Sequence, residues 1–339
     1  MPASASGTFG VKPIEKKTRF RLDQQLIVFL LFVLIFIGFS IFLSGFLTVG
    51  NMLAMLRSIS VLGILGFGMA VVVIGRGVDL SMVALMAVPT ALIMTLSSTG
   101  MGTVPAVALG LALAVGVGML NGVLVAYAEI PSLFTTLATG IGLAGLGQSG
   151  LLPFDMVSWP ASLDGIRWLG TGVVAGVPTS ILAFAFTGIC VALFLRHTKL
   201  GRFVYAIGDN PNAARTTGMP VRPLMVLQYV IAAAISVFAG LVLASSSGLM
   251  DTRIFNLSLI YDVVLVVVLG GVGLSGGRGG ALNVVVGTLL VGTILNGMTI
   301  MSFSYEAQNL IKGMVLLVAI SLDSMLNPRN EETAQQGDI

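Results

Sequence analysis

Segment 75–81 sets polar side chains beside glycines in a largely apolar sequence. It runs Gly-Arg-Gly-Val-Asp-Leu-Ser, so that Asp79 and Ser81 follow glycines that interrupt a helix. A carboxylate at a helix start is favoured by free N–H groups and by the helix dipole. This predicts that Asp79 caps the next helix, with Arg76 as its charge partner or as an anchor to a lipid headgroup. Broken helices at membrane depth can instead line a cavity, where the same groups would contact a solute.

Other polar residues lie inside apolar runs, at Asn121, Gln228, Asn296, Gln308 and Lys312, and Asp262 stands near the start of another run. Such residues usually face other helices and hydrogen-bond between them. The sequence shows no acid–base pair, metal cluster or nucleophile constellation, so we expect no catalytic residue, metal or cofactor. Beside helix packing, the alternative is a solute path. Its candidate residues are Asp79, Ser81, Asn121, Asp262 and Asn296.

Membrane helices must hold these residues. The chain is 56% hydrophobic and only 9% charged, with a mean hydropathy of +1.03, whereas soluble domains are about 25% charged. Lipid offers no hydrogen-bond partners, so each span must be helical. We predict an all-α polytopic protein whose transmembrane part, 25–325, lies between tails 1–24 and 326–339. About ten spans fit the chain, at roughly 26–47, 52–75, 79–97, 104–126, 131–149, 176–195, 223–246, 258–272, 282–301 and 305–325.

The basic residues predict the orientation. An even number of spans sets both termini on one side, together with the loop 196–222. That side receives five Lys or Arg from 1–24, five from the loop, and also Arg76, Arg278 and Arg329. The positive-inside rule therefore predicts that both termini and the loop are cytoplasmic.

Two polar segments are expected between spans. Within the loop 196–222, an Asn N-cap, a first-turn Pro and a final Gly predict a short helix at 211–217. An irregular basic loop held near anionic lipid is the alternative. The glycine-rich segment 270–280 predicts a close-packed turn. The glycines expected to break the helices are Gly75, Gly77, Gly276, Gly277 and Gly279.

Two pairs of similar segments hint at internal symmetry. Asp79 and Asp262 each stand near the start of a span, and Leu-Asn-Gly occurs at both 120–122 and 295–297. An inverted-topology repeat of spans 2–5 and 7–10 would place these segments in equivalent positions. Chance recurrence of a few residues in a low-complexity background is the alternative.

Several motifs in order carry a resemblance to a known family. They are Gly-Val-Asp-Leu-Ser at 77–81, Leu-Asn-Gly at 120–122, Ile-Pro-Ser-Leu at 130–133 with Thr135 and Thr136, Thr-Lys-Leu-Gly-Arg at 198–202, Tyr-Ala-Ile-Gly-Asp-Asn-Pro at 205–211, and Leu-Ser-Gly-Gly-Arg-Gly at 274–279. From about Asn51 to Asp323 the chain resembles permease subunits of ATP-binding-cassette importers for monosaccharides such as ribose, galactose and xylose. The wider superfamily includes branched-chain amino acid permeases. The family usually has Gly at the position of Arg76, and Val-Gly-Ser at 82–84.

The resemblance implies a multi-pass protein of the bacterial inner membrane that moves a sugar or sugar-like solute inward. Its implied partners are ATPase subunits, a periplasmic or extracellular solute-binding protein, a second permease copy that is identical or paralogous, and membrane lipid, but no nucleic acid. The short helix would correspond to the segment that docks on the ATPase. The implied coupling residues are Asp209, Asn210, Pro211, Ala213, Ala214, Arg215 and Gly218.

The chain has no G-x-x-x-x-G-K-[ST] phosphate loop, so ATP hydrolysis would belong to separate chains and the protein itself is expected not to be an enzyme. An ion-coupled secondary transporter is the alternative function. Such proteins usually place acidic residues at mid-membrane. Here the acidic residues stand at the ends of spans, which favours the importer. A membrane enzyme or structural subunit is a further alternative, against which the absence of a catalytic constellation argues.

Overall fold

The computed structural model describes residues 24–152, 155–256 and 258–326, and it is almost entirely helical. The predicted tails lie outside these residues apart from Gln24 and Leu326. The helices are α1 (Gln24–Phe42), α2 (Val49–Ile74), α3 (Met82–Ser98), α4 (Thr103–Ala126), α5 (Ser132–Leu146), α6 (Asp164–Thr171), α7 (Thr179–His197), α8 (Lys199–Asp209), α9 (Pro211–Thr216), α10 (Val221–Ser247), α11 (Leu259–Leu269), α12 (Ala281–Ile300) and α13 (Tyr305–Leu326).

Two small antiparallel sheets connect the helices. Strand β1 (Met156–Ser158) pairs with β4 (Leu249–Asp251), and β2 (Val173–Val174) pairs with β3 (Val177–Pro178). A π-helical turn at Gly147–Leu151 extends α5, and short 3₁₀ turns occupy Ala161–Leu163 and Thr252–Asn256. The all-α prediction is confirmed, since these strands are minor connections.

A helix lies in each apolar run that the sequence predicts. Six of the described helices, α1, α2, α4, α7, α10 and α12, are long and apolar enough to cross a membrane, while α3 and α11 are shorter apolar helices. The run predicted at 258–272 holds only the 11 residues of α11. That is shorter than the roughly 20 residues of a full span. Because six described helices are long enough to cross a membrane, the structure is consistent with a polytopic membrane protein.

Helices α2 and α10 form the centre of the bundle. Helix α2 is apolar on every side, which is typical of a helix buried within a bundle, and it is buried from Ile59 to Ile74. It packs against α7, α10, α11 and α12, while α10 also packs against α3 and α4. Helix α1 lies at the edge against α12, and its apolar side chains are mostly exposed. Lipid is the solvent that suits such a surface.

The two ends of the bundle differ. At one end, here called the basic end, α8 and α9 pack against the start of α10, and α8 also packs against the end of α2, beside the turn 270–280. At the other end, here called the sheet end, the β1–β4 sheet and α6 cover the end of α10. The break 75–81, which follows α2, therefore starts at the basic end.

Candidate functional site

The break between α2 and α3 is shaped by Asp79. Helix α3 starts after Ser81, which is its N-cap residue and makes no side-chain capping bond. The prediction that Asp79 caps α3 is therefore wrong. Instead, Asp79 Oδ1 accepts hydrogen bonds from the backbone N–H of Ser81 at 3.0 Å and from the Ser81 hydroxyl. Aspartate often bonds to a backbone group two residues on, which forms a turn rather than a helix.

Asn121 extends this arrangement to two further helices. Its Nδ2 donates to Ser81 Oγ at 2.9 Å, and its Oδ1 accepts from Thr139 Oγ1 of α5 at 2.6 Å. Asp79, Ser81 and Asn121 are fully buried. Three of the five predicted path residues thus form one hydrogen-bonded group with Thr139, here called the break network, in which Thr139 is the partly exposed member.

Side chains of helix α5 accept hydrogen bonds from backbone N–H groups of the break. Ser132 Oγ accepts from the N–H of Val78 at 3.1 Å, and Thr136 Oγ1 accepts from the N–H of Leu80 at 3.0 Å. Unpaired backbone groups are very costly in lipid, so a break needs side-chain partners of this kind. Ser132 and Thr136 were not predicted as site residues. Two hydroxyls four residues apart, on one face of a helix that also carries Thr135 and Thr139, were the signal for them.

One carboxylate oxygen of the break network has no hydrogen-bond partner among the described residues. This atom is Asp79 Oδ2, which is buried. Buried polar atoms are nearly always paired, so an unpaired carboxylate oxygen calls for an explanation. It can accept a hydrogen bond from any donor that reaches the break.

Asp262 and Asn296 lie elsewhere. Asp262 forms an ion pair with Lys312 of α13, with Nζ 2.9 Å from Oδ1, and Lys312 also donates to Ser258 Oγ at 3.2 Å. Asn296 forms two hydrogen bonds with Asn51, at 2.9 and 3.0 Å. Each pair joins two helices, α11 with α13 and α12 with α2. Neither residue belongs to the break network, although the sequence suggested one path.

The basic end joins the break to α8. The backbone N–H of Gly277 donates to the carbonyl of Ile74 at 2.8 Å, one residue before the break begins. Gly208 of α8 lies against both of these backbones so closely that any Cβ would collide with them. The turn around Gly277 follows the prediction, since Gly276, Gly277 and Gly279 all have positive φ, at 83°, 71° and 101°.

The predicted short helix at 211–217 is present as α9. The side chain of Asn210 accepts from the N–H groups of Asn212 and Ala213 at 3.0 Å each, and Gly218 follows the helix with φ of 78°. Ala214 is buried against α8 and α10, in a cluster with Ile207, Val221 and Leu224, whereas Ala213 and Arg215 are exposed. The helix therefore presents a polar, positively charged face and is fixed to the bundle from behind.

Comparison with known proteins identifies the family. The model of the family described as branched-chain amino acid transport system / permease component matches residues 51–320. The chain belongs to this permease family. It is 30% identical over 306 residues to the ribose import permease protein RbsC of Escherichia coli K12, covering 89% of the chain and 94% of that protein.

Other relatives of this permease are similar over comparable lengths. RbsC of Bacillus subtilis is 33% identical over 293 residues, which are 86% of the chain and 90% of that protein. The L-arabinose ABC transporter permease protein AraH of Azospirillum brasilense is 31% identical over 312 residues, 91% of the chain and 89% of that protein. No solved structure is significantly similar to the chain.

Arg76 is strained in this permease. Its φ of 75° lies in the left-handed region, which disfavours a side chain by about 1–2 kcal/mol. Glycine adopts this φ at no steric cost. The strain lies in the break between α2 and α3, where glycine would suit the backbone better than arginine.

Comparing two substitutions isolates this strain. Arg76→Ala and Arg76→Gly both remove the guanidinium, but only glycine removes the Cβ. We expect Arg76→Gly to exceed Arg76→Ala by about 1 kcal/mol in free energy of unfolding, measured by denaturant titration of the purified permease in mixed micelles with circular dichroism. Equal stabilities of the two variants would show that the turn tolerates a Cβ and holds no strain.

Proposed function

We propose that the chain is the membrane-spanning permease subunit of an ATP-binding-cassette importer, which moves a sugar or sugar-like solute into the cytoplasm by alternating access. The similarity to the sugar permeases over about nine-tenths of the chain carries this proposal. ATPase subunits, a solute-binding protein and a second permease copy would complete the assembly. The localisation would be the inner membrane of a bacterial cell.

The proposed topology has ten spans, namely α1 to α5, α7 and α10 to α13, with both termini and the basic end in the cytoplasm. The concentration of Lys and Arg in the loop 196–222 supports this orientation. Helix contacts support an inverted repeat of α2–α5 and α10–α13. In such a repeat α10 is the equivalent of α2, and α12 is the equivalent of α4. The contact of α4 with α10 therefore has its equivalent in the contact of α12 with α2. Likewise α3 packs on α4, α5 and α10, while α11 packs on α12, α13 and α2.

Within this permease we place the solute path beside the break network. Sugars present several hydroxyl groups, and the break offers a carboxylate, a hydroxyl and an amide in one place. Asp79 Oδ2 is the atom in this group without a partner among the described residues. Because Asp79, Ser81 and Asn121 are buried in this conformation, their contact with a solute requires the opened state of the transport cycle. Asp262 and Asn296, whose polar atoms are engaged by Lys312 and Asn51, are proposed to hold helices together.

We propose that the ATPase subunits drive transport through their contact with α9. Closure of the ATPase subunits would move the two copies of α9, and α8 would transmit that motion to Ile74 and the break through Gly208. Ala213 and Arg215 are the exposed positions for docking, whereas Ala214 holds α9 to the bundle. A positively charged helix suits an acidic groove on the partner.

Reconstitution in vesicles tests the function. The permease alone should hydrolyse no ATP and take up no solute, while addition of the ATPase and a loaded binding protein should give ATP-dependent uptake. Uptake by the permease alone, driven by a proton or sodium gradient, would favour the ion-coupled transporter and refute the importer.

Substitutions on α9 test the coupling. Ala213→Trp and Arg215→Glu should each abolish most ATP-driven uptake and weaken co-purification of the ATPase, because they block or repel the docking surface. Arg202→Glu, an equal charge reversal at an exposed position of α8, is the control and should retain uptake. If both α9 variants keep full uptake and ATPase association, α9 is not the coupling helix.

A further inference from the structure

A crevice runs along the side of the bundle between α7 and α12. Its volume is about 390 Å³, within the range of about 300–1,000 Å³ that small-molecule sites occupy. The stacked rings of Phe67 and Phe184 form its deep end. Ile189 and Leu282 line it and are 60% and 65% exposed, so the crevice opens sideways onto the outer surface of the bundle. That surface is the one that faces lipid.

The crevice is apolar along its depth and polar only at the basic end. There it is lined by Arg196 at the end of α7, Tyr205 of α8, Asn283 at the start of α12 and Gln25 at the start of α1. Arg196 is exposed and forms no ion pair within residues 24–152, 155–256 and 258–326. Among the described residues, its guanidinium therefore has no carboxylate partner.

The length of the crevice matches one leaflet of a bilayer. Phe184 and Arg196 both line it and are twelve positions apart on α7, a distance of about 18 Å at 1.5 Å per residue. Half of the hydrocarbon core is about 15 Å. An acyl chain in the leaflet at the basic end would thus extend from Arg196 to the two rings.

We propose that this crevice binds an anionic phospholipid, with one acyl chain against Phe67 and Phe184 and its phosphate on Arg196. Guanidinium groups bind phosphate with paired hydrogen bonds, and basic pockets between membrane helices bind anionic headgroups on the cytoplasmic side. Lys199, exposed on the next helix, adds positive charge near the headgroup. The site rests on the proposed orientation, which sets the basic end in the cytoplasmic leaflet. It lies away from the break network and from α9.

Native mass spectrometry of the purified full-length permease tests the proposal. The protein is mixed with equal amounts of dioleoyl phosphatidylglycerol and dioleoyl phosphatidylcholine, and with oleate in a separate sample. We expect phosphatidylglycerol to be retained in preference to the other two. Arg196→Gln should lower that preference about fivefold, as expected for one surface charge. Ala185→Trp, which fills the crevice from an exposed position on α7, should abolish retention of both phospholipids.

Two control variants accompany these substitutions. Arg222→Gln removes a charge of the same kind from the start of α10, and Cys190→Trp adds the same bulk to α7 at an exposed position that does not line the crevice. Both should bind phosphatidylglycerol like the unsubstituted protein.

Equal retention of all three amphiphiles, or a preference that survives both Arg196→Gln and Ala185→Trp, would overturn the proposal. So would an Ala185→Trp variant that separates a permease dimer while lipid retention is unchanged, because the crevice would then belong to an interface between copies. Failure of ATP-driven uptake, by contrast, would refute the proposed function and leave these lipid measurements standing.

Discussion

Gly208→Ala should strongly destabilise the permease, although alanine normally favours a helix over glycine by up to about 1 kcal/mol. A Cβ at Gly208 would collide with the carbonyl of Ile74 and the N–H of Gly277, which are backbone atoms that cannot rotate away. Forcing bulk into a packed contact costs about 1–3 kcal/mol, and more where backbone must shift. We expect a loss of about 3 kcal/mol in free energy of unfolding, measured by denaturant titration in mixed micelles.

The control is the same substitution on α4. Gly116 lies in a helix with nothing within reach of an added Cβ, so Gly116→Ala should be neutral or stabilising. The sign of the effect therefore separates close packing from helix propensity. If Gly208→Ala is also neutral, then α8 does not lie against the end of α2, and the proposed transmission from α9 to the break loses its contact. If the variant folds and its assembly with the ATPase hydrolyses ATP without solute uptake, that result would support the transmission.

The positions of the helices were largely predictable from the sequence, and the reason is lipid. An apolar segment in a bilayer must satisfy its own backbone hydrogen bonds, so each long apolar run had to be a helix. The start of α3 was less predictable. The hydropathy of the sequence placed the start of the third span at residue 79. The helix begins only at Met82, because backbone groups of the break form hydrogen bonds with side chains of α5 instead.

The site was predictable only in part. Asp79, Ser81 and Asn121 were identified because polar residues in apolar sequence are conspicuous, and they do lie together. The sequence did not identify Lys312 as the partner of Asp262 or Asn51 as the partner of Asn296. Pairing between distant helices depends on how the helices pack and rotate. Local sequence does not specify which faces of two helices meet.

Lys312→Met should strongly weaken the α11–α13 contact. It leaves the Asp262 carboxylate without its counter-ion in a site where both side chains are only about one-eighth exposed, at 13% and 12%. Removing one partner of a buried ion pair costs about 3–5 kcal/mol. We expect a loss in that range for Lys312→Met, a similar one for Asp262→Asn, and a much smaller one for the double variant, measured as free energies of unfolding in mixed micelles.

The double-mutant cycle distinguishes a structural pair from a coupling site. If Asp262 and Lys312 serve to hold α11 on α13, the double variant regains stability together with ATP-driven uptake, because the charges are needed only for each other. An exposed ion pair provides the scale: Arg222→Met, which breaks the 3.2 Å pair with Glu129 at the surface, should cost under about 1 kcal/mol. Single losses that simply add in the double variant would mean that the two charges are not coupled. A stable double variant without uptake would show that the Asp262–Lys312 pair takes part in transport, and would return this pair to the solute path.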